Sequence, residues 1–374
     1  MKITTLLFKD IDTKIIVWFQ DNNQYIVVEK IVANILQLFS EKKSFTKIVD
    51  FLTKKINIPK KEGTLFIKDI EKLLNTSDKT VITKSKAVPL PTYFETKKYY
   101  KINDVTFLVE FSSEYEESLV HPKFAHLEIK SVQNTDYHYQ VFSDDKAISF
   151  LIDGSEIGTW TLKEVHFFQG KFSMQLVQHI HQKEEKEWLG VFHASAISNG
   201  KNSMLFLGDS GNGKSTSLAL LQANGFTCLA DDFVPMDAKK QEIYSFPSAI
   251  SIKRNSLETL LPIYPELQTS SEYHFKRLNK IVRYLPPNNT DYTRHLPCKA
   301  LVFIKYKKDS ILQIKKIDKL SAFEQLVPDS WLSPLKENAH TFLDWFANLP
   351  CYQLTYSDNQ KMTTTVHKIF TDDL

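Results

Sequence analysis

Three things are scarce in this 374-residue chain, and each scarcity excludes something. Cysteine occurs three times, at Cys228, Cys298 and Cys351, widely spaced and with no CxxC pair. That argues against a disulfide framework or a cysteine-held zinc and leaves reduced thiols. Long apolar runs are missing too. No stretch approaches the ~18 uninterrupted apolar residues of a membrane span. The opening "MKITTLLFKDIDTK" has too short an apolar run for a signal peptide, so a cytoplasmic location is expected. Net charge is only +3, so nothing in the balance calls for nucleic acid. Arginine is the third scarcity. The four arginines, Arg254, Arg277, Arg283 and Arg294, all fall within 41 consecutive positions. A guanidinium grips phosphate or carboxylate in two places where an ammonium cannot. The cluster reads either as phosphate contacts or as ordinary ion pairs.

What is plentiful is material for cores, with 26 Phe and 15 Tyr. "IIVWFQ" and "QYIVV", joined by "DNN", read as a strand hairpin. Three helical patterns follow. Ile31, Ile35, Leu36 and Phe39 share one face; Ile48, Phe51 and Leu52 the next, with Ser44 as cap; Leu65, Ile70 and Leu74 the third. Residues 1–80 therefore form a small α+β unit, and the polar, proline-bearing 81–97 a linker. Residues 98–190 read as β-rich, through "VTFLVEF", "FAHLEIK", "YHYQVF" and "AISFLID", and end in a helix. His179 and His181 lie on different faces of that helix and read as surface histidines. From 191 to 374 strands and helices alternate, which predicts an α/β domain. No repeat or low-complexity tract interrupts the chain.

The chemistry concentrates in "GDSGNGKSTSLALLQANGFTCLADDF", residues 208–233. Gly208-x-x-x-x-Gly213-Lys214-Ser215 is a full phosphate-loop pattern between an apolar strand and a helix. Glycines let successive amides turn inward on phosphate oxygens, and the helix start adds its positive dipole end. The loop residues Gly208, Asp209, Ser210, Gly211, Asn212 and Gly213, with Lys214, Ser215 and Thr216, are the expected nucleotide contacts. Lys214 suits the β and γ phosphates and the Ser215 hydroxyl a Mg²⁺ ion. Asp231 and Asp232 end the next apolar strand. One acid suffices for a metal; two point to divided duties, one on Mg²⁺ and one accepting a proton.

Only 17 positions separate Lys214 from Asp231. This compact order of "GDSGNGKS" and then "ADD" resembles HPr kinase/phosphorylase and the related phosphoenolpyruvate carboxykinase nucleotide fold. The resemblance implies ATP and Mg²⁺ as cofactors and transfer of phosphate to a serine hydroxyl. It gives Asp231 the look of the base and Asp232, with Ser215, that of the metal ligands. It also implies a role for His193, in "GVFHASAIS", orienting an aspartate or touching phosphate, and a homo-oligomer. Read from the residues alone, His193 is as well taken for a buried structural histidine. After the acids the chain departs from that family. "FPSAISIKRN" and "FKRLNKIVRYLPP" stand where a glycine-rich signature is expected, which puts HPr in doubt as the acceptor. Lys253, Arg277 and Arg283 become the candidates for substrate or γ-phosphate. The N-terminal unit resembles PqqD-like domains, winged-helix-type modules that bind leader peptides by strand addition. A plain structural subdomain and a DNA-binding winged helix are the alternatives, and the absence of arginine there speaks against the latter. The expected protein is an ATP-dependent kinase acting on Ser or Thr of a peptide or protein. A kinase of a small hydroxylated metabolite and an ATP-gated peptide-binding module are the alternatives.

Overall fold

A computed structural model describes residues 5–75, 88–275 and 280–374. The chain is a mixed α/β protein with several sheets, divided into two compact units. Among the described residues no helix is long and apolar enough to cross a membrane.

The first unit comprises Met1–Ile82 and, from far along the chain, Ile317–Cys351. Its sheet has three antiparallel strands rather than the hairpin read from sequence. Leu6–Ile11 pairs with Lys14–Phe19, which pairs with Gln24–Val28. The helices Lys30–Ser40, Phe45–Ile56 and Lys60–Asn75 follow. Ser44 caps the second as expected, accepting from the Lys47 amide, and Asn57 ends it in a left-handed turn. Val17, Ile35, Leu36, Ile48 and Leu52 meet in one apolar core. In the third helix Ile67 and Ile70 face that core, whereas Leu65 is exposed. Leu65 lies two residues before Ile67 and five before Ile70, off the buried stripe.

The helices Lys319–Leu326 and Lys336–Asn348, which the sequence pattern places in the α/β domain, belong to this first unit. Specific contacts hold them. The Lys319 amide donates to Asp12 at 3.0 Å, Lys9 pairs with Asp344 at 2.6 Å, and Asn23 donates to the Leu332 carbonyl at 2.8 Å. The Tyr25 ring meets Phe323 and Phe342 edge-on. None of these pairings leaves a trace in local periodicity.

The second unit spans Thr83–Lys316 and Tyr352–Leu374. Its six-stranded sheet runs in the order Glu128–Ile129, Thr96–Ile102, Val105–Phe111, Tyr137–Ser143, Ala147–Ile152, Ser155–Thr161. "FAHLEIK" is mostly not a strand. The helix Glu114–Phe124 runs into it, and only Glu128–Ile129 pairs. Ser113 caps that helix, and the crossover it makes lets Val105–Phe111 and Tyr137–Ser143 run parallel. The helix Val165–His181 packs Phe168 and Phe172 against Tyr139 and Phe150. Its two histidines do point to different faces, but neither is a surface residue. His179 stacks on Tyr137 with ring centroids 3.7 Å apart and bonds the Tyr139 hydroxyl; His181 sits between Trp188 and Tyr244. Burial pushes both imidazoles down to about 4.

The larger sheet of this unit positions the site. Thr227–Asp231, Ser195–Ser198, Ser203–Leu207 and the long His295–Tyr306 lie side by side in that order. Ser203–Leu207 runs parallel to Cys298–Phe303, while the start of the long strand pairs antiparallel with Glu242–Tyr244. One twelve-residue strand thus joins the two halves of the sheet. A small antiparallel sheet of Ile250–Lys253, Lys280–Leu285 and Tyr273–Phe275 stands apart.

Candidate nucleotide site

The strand Ser203–Leu207 is buried along its whole length, and the helix Lys214–Ala223 starts six residues after it. Between them, Gly208 and Gly213 hold backbone angles that side chains resist, with φ of +138° and +93°. Space demands glycine as well. A Cβ on Gly208 would lie 2.7 Å from the Ile304 carbonyl oxygen, and one on Gly213 would press on Tyr306 and Tyr356. The loop is pinned to the sheet by the Tyr306 amide, which donates to the Asn212 carbonyl at 2.9 Å. Asp209, Ser210 and Gly211 form its exposed tip. Because the helix opens on a glycine, no side chain caps its first amides. Such a start is the ordinary anion seat of a strand–loop–helix.

Lys214 is buried at 8% exposure, and its ammonium donates to the Gly208 carbonyl. A buried ammonium on a single backbone acceptor is poised to exchange that partner for a phosphate oxygen. Thr216 shares a hydroxyl contact with Ser256 at 2.7 Å. Ser215 donates to Asp231 Oδ2 at 3.1 Å.

Asp231 is the most constrained group in the site. It stands opposite Ser195 across an antiparallel strand pair and is 2% exposed. Ser195 Oγ donates to its Oδ1 at 2.6 Å; Ser215 Oγ and the Ser251 amide share its Oδ2, each at 3.1 Å. The Ser248 hydroxyl holds its carbonyl at 3.0 Å. Burial, followed by the neighbouring charge of Asp232, pushes the Asp231 carboxyl up to about 6 despite these donors. Asp232 lies one residue beyond the strand end, half-buried, with φ at +62°. The left-handed turn takes Asp232 out of the strand, while Asp231 stays inward on its serines.

The remaining sequence candidates divide. Lys253 reaches the loop tip, its ammonium 2.7 Å from Ser210 Oγ. Arg283 instead donates to the Leu267 and Gln268 carbonyls and pairs with Glu272, which also binds Arg254. Its guanidinium is committed to holding a turn rather than presented to a substrate. Arg277 lies outside the described residues. His193 occupies the bend between Trp188–Phe192 and Ser195–Ser198 and is exposed, which sets aside its reading as a buried structural residue. The side chain this stretch places on Asp231 is that of Ser195. The sequence reading missed Ser195, Ser248 and Ser251. Only Ser195 carried a signal, two residues past His193 at the start of a short strand.

The donor set suits a nucleotide phosphate tail and its divalent ion. It offers a glycine cradle, a buried lysine, a hydroxyl at the helix start and a carboxylate behind that hydroxyl. Among the described residues no three His, Cys, Asp or Glu side chains cluster as a metal site.

No family model and no curated protein matches the sequence. Among solved structures, the chain is similar to the HPr(Ser) kinase/phosphatase from Coxiella burnetii. The match has a TM-score of 0.22 and 8% identity, over 49% of this chain and 94% of that one. At that score the likeness bears on no residue's role.

Proposed function

We propose that the protein is an ATP- and Mg²⁺-dependent phosphotransferase that moves the γ-phosphoryl group to a hydroxyl, with Ser or Thr of a peptide or protein as acceptor. One observation carries the reading. The hydroxyl that opens the loop helix is bonded to a buried carboxylate, and a second, more accessible carboxylate follows immediately in the chain.

The geometry favours an exchange of duties between the two acids relative to the family resemblance. Asp231 has both oxygens engaged by donors and contacts Ser215, the hydroxyl suited to Mg²⁺. Those contacts support a metal-side role for Asp231. Asp232, one residue beyond the strand end and less buried, is the proposed acceptor of the hydroxyl proton. Mg²⁺, held by Ser215 with Asp231 behind it, supplies neutralisation of phosphate charge when bound. Lys214 adds a fixed cation in a dry setting, and the loop amides orient the phosphates. The acceptor oxygen forms its bond to the γ phosphorus as the bond to the β–γ bridging oxygen breaks. The hydroxyl proton passes to Asp232, and ADP departs.

The test is incubation of the full chain with γ-labelled ATP, Mg²⁺ and a Ser/Thr peptide library, read by mass spectrometry. Phosphorylated peptides are expected, lost in Asp232→Asn while ATP binding persists. Transfer to small hydroxyl compounds alone would replace the acceptor class. Tight ATP binding with no transfer to any acceptor would leave a nucleotide-gated binding module.

A further inference from the structure

We infer that Lys253 is the residue by which this site distinguishes a nucleoside triphosphate from a diphosphate. The inference rests on the nucleotide reading above and narrows it to one side chain. Along Ile250–Lys253, side chains alternate between two faces. Ile250 and Ile252 are locked in the apolar core at 0% and 1% exposure, which fixes the register of the strand. Ser251 and Lys253 therefore share the opposite face, and the strand touches the site at both residues. The Ser251 amide binds Asp231 Oδ2, and the Lys253 ammonium binds Ser210 at the loop tip.

Two further observations point to a ligand on that face. The Ser251 hydroxyl is fully buried yet has no hydrogen-bond partner, in a residue only 7% exposed. A buried hydroxyl left unpaired costs stability unless something in the working state satisfies it. Two arginines beside this strand are committed to a carboxylate. Arg254 pairs with Glu272 at 2.7 Å, and Arg283, on the paired strand, joins the same carboxylate. Lys253 is the cation this strand brings to the loop, and it arrives at the tip, whereas Lys214 rises from the helix start and contacts Gly208. The two cations meet the cradle two residues apart, Lys214 at Gly208 and Lys253 at Ser210, so Lys253 adds a contact at the tip. A lysine that meets only the terminal phosphate gains with ATP and gains nothing with ADP.

The experiment is equilibrium titration of the full chain with Mg²⁺ and either ATP or ADP, for wild type, Lys253→Met and Lys253→Arg. Thermal melting checks that each variant is folded. In Lys253→Met the Kd for ATP is expected to rise about tenfold or more, with the Kd for ADP within about twofold of wild type. Lys253→Arg keeps the charge and is expected to recover most of the preference. Equal weakening of both nucleotides, no change in either, or an arginine variant no better than methionine overturns the assignment while the phosphate cradle stands. A wild-type chain that binds neither nucleotide overturns both.

Discussion

The two units bury polarity in opposite ways. Among the described residues of the first unit, the buried polar side chains are Ser333 and Asn338, and they bond each other. In the second unit, Ser195, Lys214, Ser217, Asp231, Ser248 and Ser251 are all buried around one loop and the strand end beside it. An apolar core gains free energy from every side chain it removes from water. A buried carboxylate with its charge held up by three donors, or a buried lysine on one carbonyl, costs free energy unless a ligand completes it. The first unit gains stability from its interior, whereas the loop region gives some up, as the proposed function requires.

That contrast can be broken at several points. The largest effect is expected in the cradle. Lys214→Ala should lower ATP-dependent transfer by about 10³-fold or more, since an ammonium meeting phosphate charge in a dry site is worth several kcal/mol. Label transfer under saturating Mg²⁺ measures it, and a loss under tenfold would remove Lys214 from the chemistry. In the first unit, Leu52→Ala opens a cavity at a fully buried site and should cost about 2–5 kcal/mol in urea unfolding. ATP affinity of the folded variant should be unchanged; a parallel loss would show that the two regions are not as separate in purpose as argued.

Asp231→Asn sharpens the comparison because stability and function should move in opposite directions. Asparagine can still accept from the Ser251 amide and donate to Ser195, while the buried charge is gone. The nucleotide-free variant should melt about 2–4 °C higher at pH 8, with Mg²⁺-dependent ATP binding lost. Its pH dependence follows. The folded state holds the Asp231 proton more tightly than the unfolded chain, so this contribution to stability is full below pH 4 and is lost as pH rises through about 6. Asp231→Asn should remove that slope from the melting profile, and an unchanged profile would refute it. The smallest effect is at a surface cap. Ser44→Ala should cost about 0.5–1 kcal/mol, at the low end for such caps because the bond to the Lys47 amide is long at 3.5 Å.

The same contrast explains what could be read from the sequence. The strand–loop–helix was legible because its glycine spacing and the flanking strand and helix are strictly local. The buried stripes of Lys30–Ser40 and Phe45–Ile56, and the Ser44 cap of the latter, were legible for the same reason. The association of Ile317–Cys351 with the first unit was not, because it depends on pairings such as Lys9 with Asp344 across most of the chain. Nor was the clamp on Asp231. Ser195 and Ser251 reach it through strand register and through a segment twenty residues further along, neither of which a periodicity records.

The central claim is that the loop from Gly208 to Ser215 holds a nucleoside triphosphate through Mg²⁺, with Asp231 behind the Ser215 hydroxyl. Calorimetric titration of the purified full chain with ATP, with and without Mg²⁺, tests it most directly. The account predicts saturable one-site binding that requires Mg²⁺ and disappears in Lys214→Ala. Absence of binding in the wild-type chain, or equal binding without the metal, would contradict it.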